Sequence, residues 1–109
     1  MRQLDSTNTP LNSGGIYTTP IGIKAIRPLN DIDPYLKGHA LSDQIFRIDI
    51  LQSSDEINYD VINSFNSINN GTYEVCVFDQ EIFGISIKFQ ITNTSAANMT
   101  VLRGFLNCI

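Results

Sequence analysis

Hydrophobic and polar residues alternate along several stretches of the sequence, and this period-two pattern is typical of strands that bury one face. The apolar members of the alternating runs are Ile21, Ile23 and Ala25; Phe46, Ile48 and Ile50; Tyr73, Val75 and Val77; and Ile85, Ile87, Phe89 and Ile91. A last strand is predicted near residues 99–107, where Val101, Arg103 and Phe105 share one face. The pattern therefore predicts a predominantly β chain.

Two connections between these strands can be predicted from turn-forming residues. The polar residues 79–81 separate two alternating runs, which predicts an antiparallel hairpin. Residues 28–43 contain turn-forming residues and predict a long surface loop. Those residues are Pro28, Asp31, Asp33, Pro34 and Gly38.

Residues 53–70 allow two interpretations. Ser53 and Glu56 match a helix capping box, and one helical stripe holds Ile57, Val61, Phe65 and Ile68. However, Ile57, Tyr59 and Val61 also alternate, and the many Asn and Ser residues disfavour a helix interior. The pattern alone leaves both a strand and a helix open.

The first 20 residues have few large apolar side chains, set among Ser, Thr and Asn. Such a segment gains too little burial to offset its ordering entropy, which predicts an extended arm that a partner orders or, equally, a frayed terminus. The candidate partner-binding residues of the arm are Leu4, Leu11, Ile16 and Tyr17. The predicted organisation is an arm over residues 1–20 and one domain over residues 21–109.

Composition narrows the class of partner. The 109 residues carry seven Lys and Arg against eleven Asp and Glu, and the resulting net charge of −4 repels a phosphate backbone. No apolar run reaches the roughly 18 residues of a bilayer span, and the N-terminus lacks a signal-peptide pattern. We therefore expect neither nucleic acid nor membrane as a partner, and synthesis in the cytoplasm.

The two cysteines, Cys76 and Cys108, have no His or Cys partner at metal-ligand spacing. We expect two small buried hydrophobic residues, since free Cys is often buried. The alternative is a disulfide that ties the C-terminal segment to a central strand.

Catalytic and metal-binding patterns are weak in this sequence. His39 is the single histidine and is predicted to lie exposed on a loop. Ser86 lacks the closing Gly of a nucleophile elbow and lies inside an alternating strand. Asp31 and Asp33 are better explained by turns before Pro34 than by a calcium loop. We therefore predict no catalytic residue, no metal, no cofactor and no small-molecule substrate.

Part of the sequence resembles immunoglobulin-like and fibronectin type III-like β-sandwich repeats. The resemblance covers residues 57–91 and rests on Phe65, Ile68, Gly71-Thr72-Tyr73, Val75, Val77 and Asp79. In that family the Gly makes a tight turn, and the strand that the Tyr begins forms the last hairpin with its successor. The resemblance implies a β-sandwich used for scaffolding or adhesion, with a strand over residues 57–63.

The predicted fold is a single antiparallel all-β sandwich with an N-terminal arm, the alternative being an α+β fold with one helix at about residues 53–68. The predicted function is that of a non-enzymatic structural or assembly protein, with a virus or phage particle as one expected setting. Such a subunit would form a homo- or hetero-oligomer through its arm and its sandwich surface. The alternative function is a small acidic inhibitor or binding module that docks on a basic partner protein.

Overall fold

The structure, a computed structural model, describes residues 2–24, 35–82 and 85–108. These residues contain ten β-strands and no helix. The strands are β1 (Arg2–Thr7), β2 (Ile16–Thr18), β3 (Ile23–Lys24), β4 (Tyr35–Ser42), β5 (Phe46–Ser53), β6 (Asp60–Asn66), β7 (Ile68–Asn69), β8 (Tyr73–Glu81), β9 (Ser86–Asn93) and β10 (Leu102–Cys108). The predicted all-β class is confirmed.

The strands form two antiparallel sheets. Sheet A has the order β1-β10-β4-β8-β7, and sheet B has the order β2-β9-β5-β6, with β3 also paired to β9. The inner faces of the two sheets enclose one hydrophobic core, so that the predicted sandwich is confirmed. The core residues are Leu36, Ala40, Phe46, Ile48, Ile50, Val75, Val77, Ile82, Ile87, Phe89, Ile91, Met99, Leu102 and Leu106.

The strands with the clearest alternation lie where the sequence predicts them. Phe46, Ile48 and Ile50 of β5 face the core, as do alternate residues of β9. In β10 the buried residues are those that alternate with Val101, Arg103 and Phe105, so that Arg103 and Phe105 lie on the outer face. The N-terminal run begins later than predicted, since β3 starts at Ile23 and Ile21 is exposed; Ala25 lies outside the described residues.

The predicted loop over residues 28–43 is wrong in its second half, because residues 35–42 form β4 in the middle of sheet A. Leu36, Ala40 and Ser42 are fully buried. The alternation is hard to detect in the sequence, since small residues occupy most of its inner positions. Residues 28–34, with Asp31 and Asp33, lie outside the described residues.

The predicted hairpin over residues 73–91 is also wrong. β8 pairs with β4 in sheet A, whereas β9 pairs with β5 in sheet B. β8 continues to Glu81, and the next residue, Ile82, is buried in the core between the two sheets. The chain therefore changes sheets at this point.

Residues 53–70 form a turn and two strands, so the alternative of a helix at residues 53–68 is wrong. Asp55 does accept hydrogen bonds from the backbone N–H groups of Ile57 and Asn58, as a helix cap would. However, Glu56 has a φ of 64°, which no residue in the first turn of a helix adopts. The strand begins at Asp60, three residues later than the resemblance implies.

The N-terminal segment belongs to the sandwich. β1 pairs with β10 in sheet A, and β2 pairs with β9 in sheet B. Between them, the Met99 N–H donates to the carbonyl of Leu11. The chain's own strands therefore order this segment. The structure does not show a separate arm that needs a partner for its order.

Candidate functional site

The outer face of sheet A, which points away from sheet B, exposes a continuous set of apolar side chains. Register places Phe105 opposite His39 and His39 opposite Cys76, on the adjacent strands β10, β4 and β8. The next row places Arg103 opposite Leu41 and Leu41 opposite Glu74. We call this surface the apolar face; its apolar members are Leu41, Ile68, Cys76, Phe78, Val101 and Phe105.

Two hollows lie side by side on the apolar face. One has a volume of about 400 Å³ and is lined by residues from β7 and β8, among them Ile68 and Glu74. The other has a volume of about 380 Å³ and lies among β4, β8 and β10, with Lys37 and Phe105 in its wall. Cys76 and Phe78 line both hollows, so the two hollows are adjacent.

The most exposed apolar side chains of the face are Phe78, at 73%, and Ile68, at 71%. A side chain with so much area in water would gain from being covered, at about 25 cal/mol per Å² of apolar surface. Phe105 is less exposed because its ring lies beside the imidazole of His39, with 6.3 Å between the ring centroids.

Charged groups surround these apolar side chains. The Nε2 atom of His39 lies 3.9 Å from Oε2 of Glu74, within the same face. Arg103 is exposed on β10, and Lys37 is half-buried on β4. The charged side chains described on this face are therefore two basic residues and one acidic residue, beside His39.

His39 and Cys76 are placed differently from what the sequence predicts. His39 lies in a central strand instead of a loop. Cys76 is a free and exposed thiol, whereas a buried residue was expected. Cys108 lies on β10 and Cys76 on β8, and β4 lies between these two strands. The backbones of the two cysteines are therefore separated by at least two strand spacings of about 5 Å each. This separation exceeds the roughly 7 Å that a disulfide spans between Cα atoms.

The predicted arm residues do not form one surface. Leu11 and Tyr17 pack against the core of their own chain, and the Tyr17 ring lies 5.7 Å from that of Phe89. Ile16 is exposed on β2. The side chain of Leu4 lies outside the described residues.

Ser86 is the one described serine that shares a cluster with both a tyrosine and a lysine. Its Oγ lies 2.6 Å from the hydroxyl of Tyr59, and the Nζ atom of Lys88 lies 4.5 Å from the centre of the Tyr59 ring. Ser86 is nevertheless fully buried. A Cβ atom on Gly22 would lie 2.4 Å from the Ser86 Oγ, so the chain closes directly over this hydroxyl.

Several carboxylates of the described residues serve local structure. Asp43 accepts hydrogen bonds from the hydroxyl and N–H of Thr100 and from the N–H of Val101. Asp49 accepts from Ser64 and forms an ion pair with Arg47. Within the described ranges no three His, Cys, Asp or Glu side chains are grouped as metal ligands would be. The same residues include no helix that could cross a membrane.

The apolar face could be predicted only in part. The sequence alternation predicts that Val101, Arg103 and Phe105 share one face, but it does not say that this face points outward. It also misses β4, and it pairs β8 with β9 in a hairpin. Without those two strands, the outward residues of β10 have no neighbours, and no continuous surface can be assembled from the pattern.

Comparisons with known proteins add a likeness of fold. No protein-family model and no curated protein matches the sequence. Among solved structures, the crystal structure of PirA is similar, with a TM-score of 0.61 over 94% of this chain and 93% of that one, at 7% sequence identity. The resemblance to immunoglobulin-like and fibronectin type III-like repeats stays a prediction. At this identity the likeness to PirA concerns the arrangement of the strands alone.

Proposed function

We propose that this protein is a non-enzymatic assembly subunit that binds neighbouring protein subunits through the apolar face. The observation that carries the proposal is the continuity of exposed apolar side chains across β7, β8, β4 and β10. Large continuous apolar patches on soluble proteins usually mark interaction sites. A place in a virus or phage particle remains a prediction from the sequence.

The charges favour this proposal over the alternative of an acidic module that docks on a basic partner. Asp43, Asp49 and Asp55 are held by hydrogen bonds within their own chain. In contrast, the apolar face carries the basic residues Arg103 and Lys37. Binding through this face is dominated by apolar contact, so we expect raised salt to weaken it only modestly, whereas acidic docking would weaken steeply.

The non-enzymatic part of the proposal is supported by the environment of the candidate nucleophiles. Ser86 is sealed beneath Tyr59 and Gly22. His39 is directed towards Glu74 and Phe105, and no hydrogen bond joins it to Cys76 among the described contacts. A nucleophile needs a base within hydrogen-bond reach.

The thiol of Cys76 offers a direct test, because it lies inside the apolar face. In a Cys108→Ser background, a maleimide should label Cys76 rapidly in dilute protein. Labelling should slow when the protein is concentrated or isolated in association with its neighbours, because the face is then covered. A matched control places the thiol elsewhere, as Ala96→Cys in a chain lacking both natural cysteines, since Ala96 is exposed on the turn after β9.

The control thiol should react at the same rate in every state. Equal labelling rates of Cys76 in the dilute, concentrated and natively associated protein would contradict the proposal.

A further inference from the structure

We infer that the neighbour on the apolar face is a second copy of this chain, related to the first by a two-fold axis that runs along β4. This inference rests on the proposed function and names its partner. In such a dimer the outer faces of the two A sheets pack against each other. Because β4 lies between β10 and β8, the rotation places β10 of each copy over β8 of the other.

One row of side chains on the apolar face is ordered for this contact. Register places Leu41 on β4 between Arg103 on β10 and Glu74 on β8. The row therefore has a basic end, an apolar middle and an acidic end. A rotation of 180° about an axis over Leu41 and parallel to β4 exchanges the two ends, so that Arg103 of each copy faces Glu74 of the other. Two reciprocal ion pairs then flank a central contact between the two Leu41 side chains, with apolar contact inside and opposite charges outside.

Both charged side chains of this row are available to a second copy. Arg103 is exposed, and its side chain forms no hydrogen bond or ion pair in the part of the chain that the structure describes. The side chain of Glu74 is 32% exposed, and its contact with His39, at 3.9 Å, is longer than a hydrogen bond. Within one chain β4 separates Arg103 from Glu74 by two strand spacings, or about 10 Å, so they do not pair with each other.

The next row places an exposed ring over a hollow. Phe105, His39 and Cys76 occupy this row in the same strand order, so the same rotation carries Phe105 over Cys76 of the other copy. Cys76 and Phe78 line the hollow of about 400 Å³ beside β7. Phe105 is 40% exposed, so its ring can enter this hollow. Each copy therefore inserts one aromatic ring and receives one.

The direction of the axis follows from these rows. A two-fold axis across the strands would place β10 over β10 and β8 over β8, and Arg103 would not reach Glu74 of the other copy. The axis along β4 also keeps the two copies of Lys37 apart. Lys37 lies four residues from Leu41, about 13 Å along the strand, and packed sheets cross at about 30°, so the two β4 strands diverge before they reach it.

The size of the face is suitable for a stable dimer. Its central strands contain eight residues in β4, nine in β8 and seven in β10. With the short strand β7 at one side and β1 at the other, the face is about 25 Å long and about 20 Å wide. Such a face is of the size that buries roughly 800 Å² of each partner in a standard interface.

The test reverses the two charges separately and together in the full-length chain. In Arg103→Glu and in Glu74→Arg, both pairs across the axis become pairs of like charge. Each variant alone should therefore have a dimer dissociation constant raised about 100-fold or more. An equimolar mixture of the two should form a one-to-one heterodimer, and the double variant should form a homodimer, because each of these combinations restores two pairs of opposite charge.

The matched control is Asp60→Arg, which changes the net charge as Glu74→Arg does but lies exposed on β6, outside the face. We expect the wild type and this control to dimerise equally in sedimentation velocity and native mass spectrometry. Neither should grow beyond the dimer through this face, because a two-fold contact uses the face of both copies. Circular dichroism and thermal unfolding verify that each variant folds.

Other outcomes separate this inference from the proposed function. If the wild type dimerises and protects Cys76 but neither charge reversal weakens the dimer, the second copy has another orientation and the inference is wrong. If the wild type stays monomeric while Cys76 is protected in natively associated material, a different protein covers the face and the inference is again wrong. If Cys76 reacts equally fast in the dilute, concentrated and natively associated protein, both the inference and the proposed function fail.

Discussion

Asn93, at the residue scale, joins three segments of the chain at one buried point. Its side chain is fully buried, and its Nδ2 atom donates to the carbonyls of Leu11 and Ala97, at 3.1 and 2.9 Å. Its Oδ1 atom accepts from both the N–H and the hydroxyl of Ser95. A substitution that removes the Asn93 amide would therefore take a hydrogen-bond partner away from the carbonyls of Leu11 and Ala97 and from the N–H and hydroxyl of Ser95.

We expect Asn93→Ala to lower the free energy of unfolding by about 2–4 kcal/mol, because each buried polar group left without a partner costs about 1–3 kcal/mol. Urea unfolding measures the change. Asn66→Ala, at an exposed position of β6, is the control and should change stability by less than about 0.5 kcal/mol. Equal effects of the two substitutions would show that the Asn93 network does not hold these segments.

Asp43 makes the free energy of unfolding depend on pH in the acid range. Hydrogen bonds from the hydroxyl of Thr100 and from the N–H groups of Val101 and Thr100 lower the pKa of Asp43 from 3.8 to about 2. The folded state therefore binds this proton less tightly than the unfolded state, so the contribution is complete above about pH 4 and is lost as the pH falls towards 2.

We expect Asp43→Asn to make the stability less dependent on pH between 4 and 2, as measured by urea unfolding across that range. Thr100→Val removes the first of the donors and should have a smaller effect in the same direction. Unchanged pH dependence in both variants would contradict the assignment.

Among the elements, β5 and β9 are predicted correctly because each has three large apolar residues at alternate positions. These are Phe46, Ile48 and Ile50 in β5, and Ile87, Phe89 and Ile91 in β9, and all six are buried. In β4 the inner positions include Ala40 and Ser42, and Gly38 lies between them and Leu36, so turn chemistry dominates the pattern. The pattern of apolar and polar positions does not report the size of a side chain, although size determines how a residue fits between two sheets.

Strand partners could not be predicted for a different reason. Hydrophobic alternation determines which face of a strand is buried, but it does not determine the neighbour across the hydrogen bonds. The polar residues 79–81 therefore suggested a hairpin, whereas β8 and β9 lie in different sheets. The apolar face depends on these pairings, because they bring Phe105, His39 and Cys76 into one row.

Tyr17 shows how the N-terminal strands are tied together. Burial, followed by the hydrogen bond to Asp5 and its charge, raises the pKa of Tyr17 from 10.0 to about 12. The hydroxyl of Tyr17 donates to Oδ2 of Asp5 at 2.7 Å, which links β2 to β1 across the two sheets. The neutral form is thus favoured in the folded state.

This stabilisation is complete below about pH 10 and is lost as the pH rises to 12, where the folded state must release a proton that the unfolded state has already lost. We expect Tyr17→Phe to reduce the fall in stability over this range, as followed by thermal unfolding. Asp5→Asn should reduce it partly. A wild type and a Tyr17→Phe variant with parallel alkaline profiles would contradict this prediction.

At the scale of the whole molecule, both sheets share one core. Phe89 of sheet B is buried in the same cluster as Val75 and Leu106 of sheet A. Because neither sheet has a core of its own, we expect a single cooperative unfolding transition. A probe on Cys76, in sheet A, should report the same midpoint as the far-ultraviolet circular dichroism of the whole chain.

Phe89→Ala should lower the free energy of unfolding by about 3–5 kcal/mol, a large part of the roughly 5–15 kcal/mol that a domain possesses. Both probes should shift together. Phe78→Ala removes the same side chain from the exposed surface and, in dilute protein, should change stability by less than about 0.5 kcal/mol. Separate midpoints for the two probes would indicate two independent units.

The outermost strands of both sheets are either short or irregular. β2, β3 and β7 have two or three residues, β1 shifts register between Gln3 and Asp5, and β6 has an extra residue at Ile62, since Asn63 is opposite Ile50 while Val61 is opposite Leu51. Short and bulged margins discourage a foreign strand from continuing the hydrogen-bond ladder. A neighbouring subunit that binds as proposed would therefore contact side chains and not the backbone of an edge strand, so that one surface substitution can change the partner without disturbing the fold.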